Sequence, residues 1–303
     1  MSVPAAYVGI IVIWATTPLA IQWSGESVGY LFGLSSRMVI GTALSLLLVL
    51  AFRVRLPWNA AAVRSYAAAA LGLYGGMTGA YWAAQYVPSG LISVLFGTAP
   101  LITAVLAVPL LGEQGLTPAR LGGILLGIAG LGVIFFSDLS AYPEAWKGIA
   151  MLLLSASLYS LSMVLVKRSR AMLSPLAQST GGLLLALPCY LLTWALLDGM
   201  AWPDELPLRA LAAIGYLAVF GSVIGFLLYY YALQRLSAGS ISLITLITPV
   251  LALQLGRLAN AEVVPASVWL GTLLVIGGLL LYQWGAWLFG RIHTSPIPPT
   301  RDR

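Results

Sequence analysis

The chain alternates between long apolar runs and short polar connections. A helix that crosses the hydrocarbon core of a bilayer needs about 20 mostly apolar residues. Ten runs of this kind occur, at approximately residues 5–23, 30–52, 65–86, 89–111, 119–137, 147–166, 174–197, 208–234, 238–259 and 266–289. The pattern predicts an all-α integral membrane protein with ten transmembrane helices.

The second half of the chain repeats the first at a constant offset of 149 positions, so that residues 81–113 return as 230–262. The informative matches involve residue types that apolar sequence rarely pairs by chance: Tyr81 and Tyr230, Gln85 and Gln234, Pro100 and Pro249, Glu113 and Glu262. Identity at one fixed offset indicates an internal duplication.

The number of spans in each copy determines how the copies are related. Each copy contains five predicted spans, and because five is odd the second copy enters the membrane from the opposite side. We therefore predict a five-helix repeat over residues 1–137 and an inverted five-helix repeat over residues 147–289. Inverted repeats are a recurrent construction of secondary transporters. The alternative is a duplication that serves folding alone.

Composition narrows the class of protein. Hydrophobic residues make up 60% of the chain and charged residues 8%, against roughly 25% charged in soluble domains. The net charge of +6 comes from short basic clusters between apolar runs, which indicates membrane topology and no nucleic-acid partner. The chain has one cysteine, Cys189, and one histidine, His293. These are too few residues to form an intramolecular disulfide, a metal site or a catalytic triad. We expect no cofactor and no enzymatic activity.

Orientation follows from the distribution of Lys and Arg, which are enriched on the cytoplasmic side. If the N-terminus is cytoplasmic, eleven of the 15 basic residues lie in cytoplasmic connections, and only Arg37, Lys147, Arg209 and Arg257 lie on the other side. Both termini are therefore predicted to be cytoplasmic. Met1–Pro4 lacks a basic segment, so the first run is expected to remain as a span. Residues 290–303 are predicted to be a disordered cytoplasmic tail.

Several motifs occur in a characteristic order: residues 9–14 with Pro18 in the first span, Pro100 in the fourth, residues 111–113 closing it, Thr117-Pro118, and a glycine-rich fifth span at 122–132. Over about residues 5–289 the chain resembles the EamA-type exporters of the drug/metabolite transporter superfamily. Within that superfamily it is most similar to the YddG type of aromatic amino-acid exporter. The second copy departs from the pattern, with Ala261-Glu262 followed by Val264-Pro265.

The resemblance implies a bacterial inner-membrane protein in which spans 1, 3, 4, 6, 8 and 9 surround a central cavity and spans 5 and 10 are peripheral. The predicted spans contain aromatic and hydroxyl side chains far from their ends. Such side chains suit a substrate with an apolar side chain and an ammonium group. The candidate cavity residues are Trp14, Met77, Tyr81, Ser93, Tyr159, Phe226, Tyr230, Ser242 and Thr245. Two alternatives stand: aromatic residues also anchor proteins at membrane interfaces, and helix hydroxyls often bond to their own helix.

Three prolines and two glutamates are further candidates. Pro18, Pro100 and Pro249 lie inside predicted spans, where proline removes a backbone hydrogen bond and produces a kink. The kink can act in gating or be static. Glu113 and Glu262 are predicted helix-end residues that contact loop backbone or a basic neighbour such as Arg120 or Arg257.

Small residues four apart allow helices to approach closely in a membrane. Such pairs occur in spans 3 and 5: Gly72 and Gly76, Gly75 and Gly79, and Gly123 and Gly127. We expect these glycines to serve helix packing.

The sequence favours a secondary, ATP-independent transporter that exports small metabolites, most of all amino acids including aromatic and apolar ones, by alternating access. The alternatives are a multidrug or other metabolite carrier of the same superfamily and, more remotely, a lipid-modifying membrane enzyme. Arg37 is the one predicted intramembrane charge, so a carboxylate proton relay is not evident and facilitated movement is favoured. The expected partners are a small-molecule substrate and membrane lipid; monomer and homodimer both remain open.

Overall fold

The computed structural model describes residues 2–112, 117–137, 142–233 and 238–290. The side chains of residues 226, 229, 230, 233, 238–243 and 286–290 are outside this description. The predictions made for Glu113, for the side chains of Phe226, Tyr230 and Ser242, and for the tail beyond residue 290 therefore lie outside the described residues.

The described chain folds into helices joined by short connections. The α-helices are α1 (Val3–Gly25), α2 (Tyr30–Ala51), α3 (Ala60–Ala83), α4 (Ser89–Phe96), α5 (Ala99–Leu111), α6 (Pro118–Phe135), α7 (Ala145–Ser169), α8 (Pro175–Asp198), α9 (Leu208–Tyr216), α10 (Gly225–Leu233), α11 (Ala238–Asn260) and α12 (Ala266–Gly290). A π-helical segment, Leu217–Ile224, joins α9 to α10.

These helices form the ten predicted spans. The helices α4 and α5 together make the fourth span, and α9, the π segment and α10 make the eighth. Seven spans are individually long and apolar enough to cross a bilayer. Five spans belong to each copy, so the prediction of an all-helical membrane protein with a duplicated, inverted architecture is confirmed.

Local sequence explains where several helices begin and end. The Thr117 and Ser174 side chains accept hydrogen bonds from backbone N–H groups three residues further on, and each is followed by a proline suited to the first helical turn. Gly112 and Gly199 end α5 and α8 in the left-handed conformation, at φ of 67° and 58°, which glycine adopts without strain.

Contacts between helices reproduce the symmetry of the sequence. The helix α3 of the first copy packs along α7 of the second, and α1 packs in the equivalent way against α9 and α10. The fourth and ninth spans meet each other through α4 and α11, while α6 and α12 pack mainly on each other. Each copy thus completes its packing only against the other.

Glycines set the closest of these approaches. A Cβ added to Gly278 of α12 would lie 2.5 Å from the Gly123 carbonyl oxygen and 2.8 Å from the Gly127 nitrogen of α6. On α3, Gly72 and Gly76 face Ser162 and Tyr159 of α7. Lipid supplies no hydrophobic driving force for helix association. Close contacts of this kind therefore provide much of the free energy that holds the helices together. The predicted packing role of these glycines agrees with this geometry.

Gly278→Ala tests the crossing of α6 and α12. The added methyl group overlaps backbone that cannot move aside easily, and overpacking of this kind costs about 1–3 kcal/mol. We expect a lower thermal unfolding temperature for the purified protein in detergent. Gly132→Ala in α6 is the matched control, because its Cβ would meet no atom within 4 Å. Equal unfolding temperatures for both variants would contradict this account of the crossing.

Candidate functional site

Two buried charges mark the polar centres of the bundle. Among the described residues, only Arg37 and Glu262 are charged and buried, with relative exposures of 4% and 5%. Placing an arginine at the centre of a membrane helix costs about 2.5–3.5 kcal/mol on insertion scales, and such residues are usually functional. The surroundings of these two side chains therefore define the candidate site.

Arg37 lies on α2, about 10 Å along the helix axis from Tyr30 at 1.5 Å per residue. Its Nε donates a hydrogen bond to Ser222 Oγ at 3.1 Å, and its Nη1 donates to the Tyr81 hydroxyl at 3.5 Å. The Tyr81 hydroxyl also accepts a bond from Ser24 Oγ at 3.4 Å. These contacts join α1, α2 and α3 of the first copy to the second copy.

Ser222 belongs to the π segment that interrupts the eighth span. Wide turns of this kind are rare and occur frequently at functional sites. Gly41 of α2 leaves room for this approach, because an added Cβ there would lie 3.2 Å from Ser222 Cβ. The local departure from α-helical geometry thus coincides with the residue that binds Arg37.

Asn260 is the centre of the second polar cluster, which we call the Asn260 network. Its Oδ1 accepts hydrogen bonds from Trp23 Nε1 at 3.2 Å and from Arg209 Nη2 at 2.9 Å. Its Nδ2 donates to Gln22 Oε1 at 3.0 Å and to Glu262 Oε1 at 3.2 Å. One side chain at the end of α11 therefore holds α1 and the start of α9.

Further contacts widen this network. Gln22 Nε2 donates to the Ala84 carbonyl oxygen at 3.5 Å, just beyond α3. Arg209 forms an ion pair with Glu26 at 3.4 Å, and its guanidinium carbon lies 4.3 Å from the centre of the Trp23 ring. The network thus joins the two copies by polar contacts at one end of the bundle. We call this the Asn260 end.

Glu262 is buried beside Asn260 in this network. Its carboxylate lies against Gly256, with Ser89 Oγ nearby, and both Glu262 Oε2 and Ser89 Oγ are buried without a hydrogen-bond partner in the described structure. Burial raises the pKa of the Tyr142 phenol, and the nearby Glu262 carboxylate raises that pKa further. Arg257, one of the basic neighbours expected near Glu262, lies on the exposed face of α11, and the described Glu262 side chain bonds to Asn260.

The other expected basic neighbour, Arg120, contacts an aromatic ring in the described structure. The Arg120 guanidinium carbon lies 5.6 Å from the centre of the Tyr282 ring, between α6 and α12. Its proposed partner Glu113 is outside the described residues.

The predicted cavity residues do not all meet at one point. Tyr81 is buried beside Arg37, and Met77 packs against the same apolar core. Tyr159 makes an edge contact with Phe96, with ring centres 6.2 Å apart. Trp14 packs in a separate apolar cluster between α1, α10 and α11.

The predicted hydroxyl residues differ in burial and bonding. Ser93 on α4 and Thr245 on α11 are both half-buried. Thr98 donates to the Leu95 carbonyl oxygen at 2.6 Å, as hydroxyls often do within their own helix. These positions place hydroxyl groups along the fourth and ninth spans, where the two copies meet.

The three prolines have different effects on their helices. Pro100 stands at the beginning of α5, so the fourth span is broken at Gly97 and Thr98. Its repeat mate Pro249 lies inside the continuous α11, with Cγ 3.4 Å from the position of an added Cβ on Gly97. Pro18 is buried inside the continuous α1. Pro100 and Pro249 thus occupy equivalent positions in the two copies but differ in backbone geometry.

Sequence reasoning missed Asn260 and Gln22 as site residues, whereas Ser222 is among the hydroxyl groups that the eighth span offers at depth. Asn260 and Gln22 stand at the ends of apolar runs, where polar residues are common and carry little information. Ser222 carries a weak signal, because it is a hydroxyl residue in the middle of an otherwise apolar span.

The fold is that of a multi-pass, all-helical membrane protein built from two copies of one five-helix unit. The EamA-like transporter family matches residues 4–136 and 146–284, and the chain belongs to this family. A probable terminal-alkyne amino-acid exporter from Streptantibioticus cattleyicolor is 28% identical over 89% of this chain and 92% of its own length. The uncharacterized inner membrane transporter YedA from Escherichia coli K12 is 28% identical over 68% of this chain and 65% of its own length.

A crystal structure supports the same fold. It aligns with a TM-score of 0.65 over 95% of this chain and 99% of that chain, at 21% sequence identity, a level that is informative about fold alone. The family is one of transporters and not of enzymes.

Asn260→Ala tests whether the Asn260 network holds its end of the bundle closed. The reporter is Ser89→Cys, a buried position beside Glu262, in a Cys189→Ala background that removes the one native thiol. Loss of the network bonds should raise the rate of maleimide labelling about ten-fold or more, since each 1.4 kcal/mol corresponds to a factor of ten. Arg257→Ala on the exposed face of α11 is the control. An unchanged rate in Asn260→Ala would show that the network does not close this end.

Proposed function

We propose that this chain is a secondary transporter that exports amino acids, including aromatic and apolar ones, by alternating access. The similarity to a probable terminal-alkyne amino-acid exporter over most of both chains supports the substrate class. The narrower resemblance to the YddG type of aromatic amino-acid exporter is part of the same proposal. The inverted repeat supports alternating access, because two similar halves of opposite orientation favour two conformations of comparable energy.

The Asn260 network is the observation that carries the proposal. It joins α1 and the end of α3 in the first copy to α9 and α11 in the second. Hydrogen bonds between side chains at the end of a bundle can be exchanged for bonds to water at a small net cost. Polar contacts of this kind can break and re-form between two conformations, whereas the close glycine packing of α6 against α12 stays the same in both.

Aromatic side chains supply the chemistry for the proposed substrates. Tyr81, Tyr159 and Phe96 lie in or beside the apolar core, and Trp14 lies between the copies. Such rings stack on apolar side chains and attract an ammonium group. Together with Met77, Ser93 and Thr245 they form the proposed substrate route.

The orientation completes the proposal. Opposite the Asn260 end lie Arg53 in the connection after α2, Arg64 near the start of α3 and Lys167 in the last turn of α7, and basic residues concentrate on the cytoplasmic side. We therefore place both termini in the cytoplasm and the Asn260 end on the outer face of a bacterial inner membrane. In this orientation the network is the outer gate.

Reporter fusions test the orientation. A fluorescent protein fused after residue 303 should fluoresce, and alkaline phosphatase fused within the connection at residues 199–207 should be active, because that enzyme matures only outside the cytoplasm. The exchanged fusions serve as controls. Active phosphatase at the C-terminus together with a fluorescent fusion in the 199–207 connection would reverse the orientation.

Uptake of labelled phenylalanine by proteoliposomes tests the function. We expect saturable uptake by the wild-type protein that does not change when a pH gradient is imposed. Trp14→Ala should reduce the initial rate about ten-fold through lost contacts with the substrate route, whereas Trp202→Ala, at an exposed ring in the α8–α9 connection, should not. Folding is checked by size-exclusion chromatography and thermal unfolding.

Failure to transport any amino acid by folded wild-type protein would overturn the proposed substrate class and favour a carrier for drugs or other metabolites. Uptake that depends on the pH gradient would overturn facilitated movement but not export itself.

A further inference from the structure

We infer that Arg37 binds the carboxylate of the transported molecule, so that the protein selects substrates with a free carboxylate group over the corresponding amides and amines. This inference rests on the proposed function and makes its substrate class more specific. It is carried by the burial of Arg37, the neutrality of its partners and its position between the two copies.

The charge of Arg37 is not balanced by the described protein. Its hydrogen-bond partners are the hydroxyl groups of Ser222 and Tyr81, and none of the described Asp or Glu side chains forms an ion pair with it within 4.0 Å. Glu262, the other buried charge, is bound to Asn260 in the separate network. Arg37 therefore has the charge to attract an anion in a setting of low polarity.

The guanidinium group keeps the capacity to bind such an anion. It carries five N–H donors, and the hydrogen bonds from Nε and Nη1 to Ser222 and Tyr81 use two of them. Its Nη2 lies beside Gly221, where an added Cβ would be only 3.2 Å away. Arginine binds carboxylates through two parallel hydrogen bonds. The hydroxyl partners hold the group in place while leaving donors for a ligand.

The surroundings of Ser222 contain a narrow crevice between α2, α8 and the eighth span, with room for about one water molecule. Ser222 lines it together with Ser45, Ser179, Val223, Leu227 and the start of α8 at Pro175 and Leu176. Serine hydroxyls and apolar side chains both line the crevice, so polar and apolar groups stand side by side next to the residue that bonds to Arg37.

The site is placed to couple binding to a change of conformation. Arg37 and Tyr81 belong to the first copy and Ser222 to the second, so a ligand bound to Arg37 acts on contacts between the copies. The Tyr81 hydroxyl accepts a bond from Ser24, which is adjacent in sequence to Trp23 of the Asn260 network. A carboxylate bound to the remaining donors of Arg37 would therefore act on a chain of contacts that leads to the residue next to Trp23 of the outer gate.

Binding measurements on the purified protein test the inference with four probes: L-phenylalanine, L-phenylalaninamide, phenethylamine and 3-phenylpropionate. For the wild-type protein we expect phenylalanine to bind at least about ten-fold more tightly than the amide or the amine, since charge-assisted hydrogen bonds differ from neutral ones by that order. The carboxylate 3-phenylpropionate should compete with phenylalanine. Equal affinity of the wild type for phenylalanine and its amide would overturn the inference, with no variant required.

Arg37→Gln should remove the discrimination, so that phenylalanine and its amide bind equally, and Arg37→Lys should restore part of it. Arg64→Gln is the matched control, because Arg64 is exposed and bonds to the carbonyl oxygen of Ala60. If Arg37→Gln is folded and keeps the wild-type preference for phenylalanine, Arg37 does not bind the carboxylate, although amino-acid export stands.

The same probes separate this inference from the proposed function. If the folded wild type binds 3-phenylpropionate in an Arg37-dependent manner but binds and transports no amino acid, the carboxylate site stands and amino-acid export falls. If none of the four probes binds, the carboxylate site falls, and the uptake assay with other amino acids decides the proposed function.

Discussion

The bilayer imposes the constraint on which the rest of this structure depends. Within hydrocarbon each backbone polar group must be satisfied inside the protein, so the chain can cross only as helices. Apolar side chains gain little by leaving lipid for one another, and helices associate through close packing instead. The glycines of α3 and of α6 with α12 meet that demand. They fix closely packed helix pairs and leave the polar contacts between copies as the adjustable part.

Two buried charged side chains stand out among the polar contacts between the copies. Arg37 and Glu262 are the buried charges of the described chain, and both lie where the first copy meets the second. The first belongs to a hydroxyl chain through Tyr81 and Ser24, and the second to the Asn260 network. In our proposal, substrate binding at Arg37 and closure at Asn260 draw on adjoining contacts, which makes exchange between two conformations possible.

Much of the fold could be predicted from sequence, because span length follows from the thickness of the bilayer and a constant offset between matching residues indicates a duplicated unit. The packing glycines were predictable for the same reason. Other features depended on three-dimensional context. Pro100 breaks its span while its mate Pro249 does not, because a proline allows a break without requiring one. Arg257 was expected beside Glu262 from proximity in sequence, but the chain turns after α11 and points the two side chains in different directions.

Alternating access is the central claim, and a distance across the Asn260 end tests it most directly. Spin labels at Gln85, in the first copy, and Val263, in the second, occupy exposed positions and can be introduced after Cys189 is replaced. In liposomes we predict two distance populations whose ratio shifts when phenylalanine is added. A single distance that stays the same with and without amino acid, in protein that transports phenylalanine, would contradict the account.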